Sequence, residues 1–158
     1  MAEEEFLHWP CGREDYEKLK KGVAEGYLTM APVPHNDLPE TYSNYDLFVF
    51  PSVSETFGFP LVEAMACGLP ILAADTLTNR EICGDAALYF PPFNYLALAD
   101  RVNQLRARPD LYNWMRNIGI KRAKNRFNLD DHFRRLVTVL ESMSSKRQVT
   151  DTTIKLNL

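Results

Sequence analysis

The stretch PSVSETFGFPLVEAMACGLPILAAD, Pro51–Asp75, decides how this chain folds. The seventeen residues from Gly58 to Ala74 are nearly all apolar or small and carry one charge, Glu63. A second carboxylate, Glu55, stands eight positions earlier, ahead of a glycine-containing turn. Pro60 suits the opening turn of a helix, where a missing N–H costs nothing, and Gly68 suits its end. A helix is therefore expected from about Phe59 to Cys67. On either side lie DLFVFPS (46–52) and PILAAD (70–75), apolar runs without polar alternation. Runs of that kind suit strands covered on both faces.

Working outward, AALYF (86–90) reads as a third such strand. Short apolar runs alternating with amphipathic stretches are the pattern of βαβ units, so the fold class is α/β: a Rossmann-like parallel sheet with helices on both faces. REDYEKLKKGVAEG (13–26) reads as a charged surface helix, and Asn36 or Asp37 as the cap of a short helix carrying Leu38, Tyr42 and Tyr45. FLHW (6–9) and YLTMAPV (27–33) are weaker strand candidates. Beyond Pro91-Pro92 the chain turns helical: 95–108 with Leu96, Leu98, Ala99, Val102 and Leu105 on one stripe, then a helix opened by Pro109. After Asn128, residues Phe133, Leu136, Val137, Leu140 and Met143 recur at helical spacing. One domain is expected over 1–147, with 148–158 a fraying tail.

The totals bound the function. The chain has 158 residues, 46% hydrophobic and 25% charged, a size and composition that allow one core-forming domain. Cys11, Cys67 and Cys83 are odd in number and lack C-x-x-C or His-paired spacing. That argues against a disulfide framework or zinc site and for a reducing compartment, so a cytoplasmic protein is expected. The net charge of −3 conceals −11 over residues 1–100 and +8 over residues 101–147. Such a split can mark a surface for phosphate groups, anionic lipid or nucleic acid, or simply a pair of solvated amphipathic helices. No aromatic residues interleave the basic ones and no nucleic-acid motif is present, so no nucleic-acid partner is expected.

A helix start directly after a parallel strand is a ready anion site, because its first N–H groups point outward with the positive end of the helix dipole behind them. The amides of Phe57, Gly58 and Phe59 stand at that start, and a glycine lets a ligand approach the backbone closely. Glu63 falls one turn later, about 200° around the helix from both Leu61 and Met65, and so leaves the face they bury. Its neighbours Phe59, Ala66 and Cys67 are small or apolar. A carboxylate so placed must find hydrogen-bond donors, either the protein's own or a ligand's hydroxyls. Glu55 sits in the turn at the carboxyl end of the strand, where open α/β sheets put ligands.

These residues resemble a specific family. SETFGFPLVEAMACGLPILAAD is similar to the signature of the retaining, nucleotide-sugar-dependent glycosyltransferases of family four, which have the GT-B fold. The shared core is Glu, seven residues, Glu, here Glu55 and Glu63. DLPETYSNYDLFVFPS, TNREICGDAALYFPPFN and RFNLDDHFRRLVTVLE resemble the family's flanking segments in the same order, over roughly residues 10–143. The resemblance implies most of the C-terminal, donor-binding domain of a GT-B enzyme. It implies that Glu55, as catalytic-site residue, binds hydroxyls of the donor sugar. Thr56, Phe57, Gly58 and Phe59 would meet the sugar and diphosphate through the turn and its main-chain N–H groups, and Glu63 would accept hydrogen bonds from the ribose. Glu81 is a further candidate, with a structural role as its alternative. No metal and no cofactor are implied; the nucleotide diphosphate sugar is the substrate.

The resemblance also implies what these residues lack: the acceptor domain, and the first strand–loop–helix of the donor domain with its Arg and Lys. Neither Arg13 nor the Lys18, Lys20, Lys21 group stands at those positions. The expected partners are a nucleotide sugar and a missing acceptor domain or partner chain, with the isolated chain inactive. The alternative is a non-catalytic α/β fragment acting as a self-association or partner-binding module through an exposed sheet edge.

Overall fold

The computed structural model describes residues 13–29 and 31–154. The strand expected at 6–9, Cys11 and the last four residues lie outside them. Among the described residues, those through Leu38 form one compact unit and those from Pro39 onward a second. In the first, α1 (Arg13–Ala24) is the charged surface helix of the sequence reading, with Lys21 and Glu25 paired one turn apart at 3.7 Å. The strand expected at 27–33 does not form: 27–29 and 31–34 are irregular. Pro32 and Pro34 bring no N–H to a ladder, which is reason enough.

The second unit carries the sheet. Helix α2 (Leu38–Ser43) leads into β1 (Phe48–Phe50), and then come α3 (Phe59–Ala66), β2 (Ile71–Ala74), α4 (Leu77–Cys83), a 3-10 turn (Gly84–Ala86) and β3 (Ala87–Phe90). Helices α5 (Tyr95–Ala107), α6 (Pro109–Arg126) and α7 (Leu129–Ile154) follow. All strand pairs are parallel in the order β1-β2-β3, with Phe48 opposite Ile71 and Ile71 opposite Ala87. The start of α2 follows a 3-10 turn at His35–Asp37 in place of a cap by Asn36 or Asp37. Helix α7 continues past residue 147, through the stretch expected to fray, as far as Ile154.

β2 is the central strand and all four of its residues are buried, which is why its sequence shows no alternation. Ile71 and Ala73 point into a core shared with Leu61, Ala64 and Met65 of α3 and Ile82 of α4. Leu72 and Ala74 point into a second core with Leu105 of α5 and Met115 of α6. Helices thus cover both faces, as the apolar runs require. Within α5 the inward residues are Leu98, Val102 and Leu105, while Leu96 and Ala99, expected on the same stripe, are exposed.

The bounds of α3 follow from its ends. Pro60 lies in the first turn. At the far end the N–H of Leu69 donates to Ala64 O at 2.9 Å and that of Gly68 to Met65 O at 3.0 Å, the paired bonds of a Schellman stop. Arg116 of α6 donates its Nε to Gly68 O at 2.9 Å, tying the stop to the next layer. Leu61 and Met65 are fully buried, and truncation of either to Ala is worth about 2–5 kcal/mol. Among the described residues no helix is long and apolar enough to cross a membrane.

Candidate functional site

The turn after β1 brings the predicted residues to the carboxyl end of the sheet. Gly58 caps α3 with φ 77° and ψ 54°, the left-handed region that glycine enters without a Cβ penalty. A Cβ there would also stand 3.2 Å from Leu61 Cδ1. No side chain caps the helix start. Among the described residues no acceptor takes the N–H of Phe57, Gly58 or Phe59. These amides are donors waiting for an acceptor, with the helix dipole behind them.

Aromatic contacts hold the turn in place. The Phe57 ring lies 4.8 Å from Phe59 and meets Phe127, at the end of α6, edge-on at 5.7 Å. Phe59 itself is exposed. Glu55 and Thr56 are exposed, and the Glu55 carbonyl accepts from Thr78 Oγ1 at 3.5 Å, a marginal hydrogen bond.

Glu63 is half-buried, as its apolar surroundings predicted. Its donor is the hydroxyl of Tyr42 in α2, which reaches Glu63 Oε2 at 3.0 Å. Among the described residues no other hydrogen bond to that carboxylate is formed, which leaves Oε1 for something else. The Tyr42 ring packs edge-on against Phe48 of β1 at 5.7 Å. Burial first, then the hydrogen bond and charge of Glu63, push the Tyr42 hydroxyl up to about 12, so it stays a donor at neutral pH. Burial and the same carboxylate raise the Cys67 thiol.

Asn79, which the sequence reading missed, organises this end of the sheet. It is fully buried in the first turn of α4, where its N–H is taken by the cap residue Thr76 at 3.2 Å. Its Nδ2 donates to Ser52 O at 3.1 Å and to Ala74 O at 2.9 Å, pinning the residues that leave β1 and β2. Its Oδ1 is buried without a partner among the described residues. A Thr cap followed three residues later by a polar side chain was the available signal. Beside it Arg80 grips Asp75 through two nitrogens and lies 4.5 Å above the Tyr89 ring. The Arg80 hydrogen bond holds the Asp75 carboxyl below its ordinary range.

Glu81 faces elsewhere. Its carboxylate meets Arg126 at 3.8 Å and its carbonyl accepts from Arg122, both on α6, and none of its contacts reaches Glu55 or Glu63. Among the described residues no group of three His, Cys, Asp or Glu side chains is gathered that could hold a metal ion.

A parallel sheet covered on both faces, with a glycine-opened helix start and two carboxylates at its carboxyl end, defines a Rossmann-like α/β domain. The profile of the glycosyl transferases group 1 family matches residues 12–122, and the chain belongs to that family. It is 34% identical over 90 residues to O-antigen chain mannosyltransferase B of Escherichia coli, an overlap of 56% of this chain and 24% of that protein. The chain thus spans about a quarter of that relative's length. The fold superposes on Anabaena Alr3699/HepE, solved in complex with UDP, with TM-score 0.74 at 22% identity, covering 82% of this chain and 36% of that one. It also superposes on the C-terminal domain of the glycosyl transferase group 1 protein LpcC of Francisella tularensis, with TM-score 0.64 at 22% identity, covering 77% of this chain and 66% of that one.

Proposed function

We propose that these residues form the donor-binding part of a retaining glycosyltransferase, which transfers a sugar from a nucleotide diphosphate sugar to an acceptor. The observation that carries this reading is Glu63. It is a half-buried carboxylate with one oxygen held by Tyr42 and the other without a protein donor among the described residues, one turn from uncapped helix amides. Ribose hydroxyls are donors suited to Oε1, and the diphosphate is an acceptor suited to the amides of Phe57, Gly58 and Phe59. Glu55 and Thr56, exposed at the same turn, take the sugar hydroxyls. As the sugar leaves, negative charge grows on the diphosphate. Fixed amides and the helix dipole stabilise that charge without a metal. The likeness in fold to HepE, solved in complex with UDP, supports a nucleotide as ligand.

Acceptor binding is assigned to polypeptide beyond these 158 residues, in the same chain or a partner, so the isolated chain binds nucleotide weakly and transfers no sugar. Calorimetric titration with a panel of nucleoside diphosphates tests the reading. With the matching nucleotide sugars added to the panel, Glu55→Gln should weaken the sugar nucleotide toward the affinity of the bare diphosphate and leave the diphosphate unchanged; equal behaviour of both ligands in both proteins removes the role given to Glu55. For Glu81 the exposed pair with Arg126 at 3.8 Å supports the structural alternative over a donor contact.

A second reading, self-association, is favoured by one feature. Among the described residues β1 pairs only with β2, which leaves its other edge open, and Val49 within it is 38% exposed. Gel filtration separates the two: a dimer that ignores nucleotide favours association, and a monomer stabilised by nucleotide favours donor binding.

A further inference from the structure

The basic half of the chain has no part in the donor reading, yet its charges converge. A groove of about 460 Å³ opens between α6, the early turns of α7 and the turn into β3. Lys121, Arg122, Asn125 and Arg126 of α6 line it with Arg135 of α7, facing Asp85. We propose that this groove is a binding site for a phosphate group, carried either by a soluble phosphate ester or by the headgroups of an anionic bilayer.

Arg122 is the fixed element. Its Nε donates to Ile82 O at 2.7 Å and its Nη2 to Glu81 O at 2.8 Å. Both acceptors are neutral carbonyls at the end of α4, so the guanidinium is oriented but its charge is not cancelled. It lies flat against Gly84, where a Cβ would stand 2.8 Å from Nη1. That nitrogen forms no hydrogen bond to the described residues. Arg126 shares a carboxylate with Glu81 at 3.8 Å, a long and exposed pair. Lys121 and Arg135 form no ion pair with the described residues.

Four cations therefore share a concave wall with one lining carboxylate, Asp85, and one at its rim, Glu81. Like charges crowded in a groove raise one another's energy, and an anion with several oxygens relieves it. Guanidinium forks match phosphate geometry, and at least two of the four side chains are free to swing toward it. The volume falls in the range of about 300–1,000 Å³ usual for small-ligand sites, generous for a simple halide. No aromatic side chain lines the groove, so nothing would stack a base. The phosphate itself is what these residues can recognise.

The groove borders the turn entering β3, whereas Glu55 to Phe59 follow the end of β1. None of the lining residues belongs to that turn, although Phe127, next to Arg126, touches Phe57; the charges invoked here are not those of the donor reading.

The test uses the full chain in two arms: calorimetric titration with inorganic pyrophosphate, and co-sedimentation with phosphatidylglycerol against phosphatidylcholine vesicles. Lys121→Glu with Arg135→Glu is compared with Arg106→Glu plus Lys124→Glu, an equal charge change on exposed residues outside the groove. Binding in either arm should fall at least about tenfold in the groove variant and within about twofold in the control. Pyrophosphate binding identifies a soluble ester as the ligand class, and binding to phosphatidylglycerol alone identifies headgroups. If the groove variant fails to fold, Lys121→Gln must show a smaller loss in the same direction. No binding in either arm, or equal losses in the two variants, overturns the proposal.

Discussion

Tyr42 and Glu63, 21 residues apart, meet through a hydrogen bond of 3.0 Å from the tyrosine hydroxyl to Oε2. It links the short helix before β1 to the helix after it, and it fixes the carboxylate's orientation while leaving its second oxygen available.

This pairing makes a pH prediction. The Tyr42 hydroxyl titrates at about 12 in the folded protein, against about 10 for an unfolded tyrosine. Its folded value is the higher one, so its contribution to stability is complete below about pH 10 and is lost as pH rises from there through about 12. Phenolate absorbance, taken as the difference between wild type and Tyr42→Phe, should show this late titration. Glu63→Gln should bring the midpoint down, with burial keeping part of the shift. A Tyr42 component at the free-tyrosine value contradicts the contact.

Gly58→Ala should destabilise the chain. Its φ of 77° costs a residue with a Cβ about 1–2 kcal/mol, and crowding against Leu61 adds to it. Urea unfolding gives the number directly. An unchanged midpoint would mean that the turn relaxes to another shape.

Asn79→Ala removes the donor shared by Ser52 O and Ala74 O. Ala74 O keeps the Thr76 N–H and Ser52 O is partly exposed, so the cost is that of two lost hydrogen bonds, about 1–3 kcal/mol together, and denaturant unfolding should record it. Hydrogen exchange should also quicken in residues 51–58, because the amide no longer ties that turn to α4. A stability loss without faster exchange there would confine Asn79 to the core.

The three strands and α3 were legible because burial leaves local marks: apolar runs for a doubly covered sheet, Pro60 and Gly68 for the ends of a helix. The placement of Glu63 off the Leu61–Met65 face followed from helical geometry alone. Its partner did not, because Tyr42 reads only as one member of an apolar stripe, and nothing local says which polar atom it meets across 21 residues. Asn79 was hidden for the same reason, since its acceptor at Ser52 lies 27 positions away. The irregular segment around Pro32 was misread because its apolar residues outweighed the prolines. Glu81 was a weaker candidate through the family resemblance of its segment, and its contacts with Arg122 and Arg126 on α6 leave no local mark in the sequence.

Ligand-detected saturation-transfer NMR on wild type and Glu63→Ala, with UDP and GDP in turn, tests the central assignment most directly. The account predicts transfer to the ribose protons of at least one nucleotide in wild type, lost in the variant while the fold is retained. Ribose saturation of equal strength in both proteins, or none with either nucleotide, would contradict it.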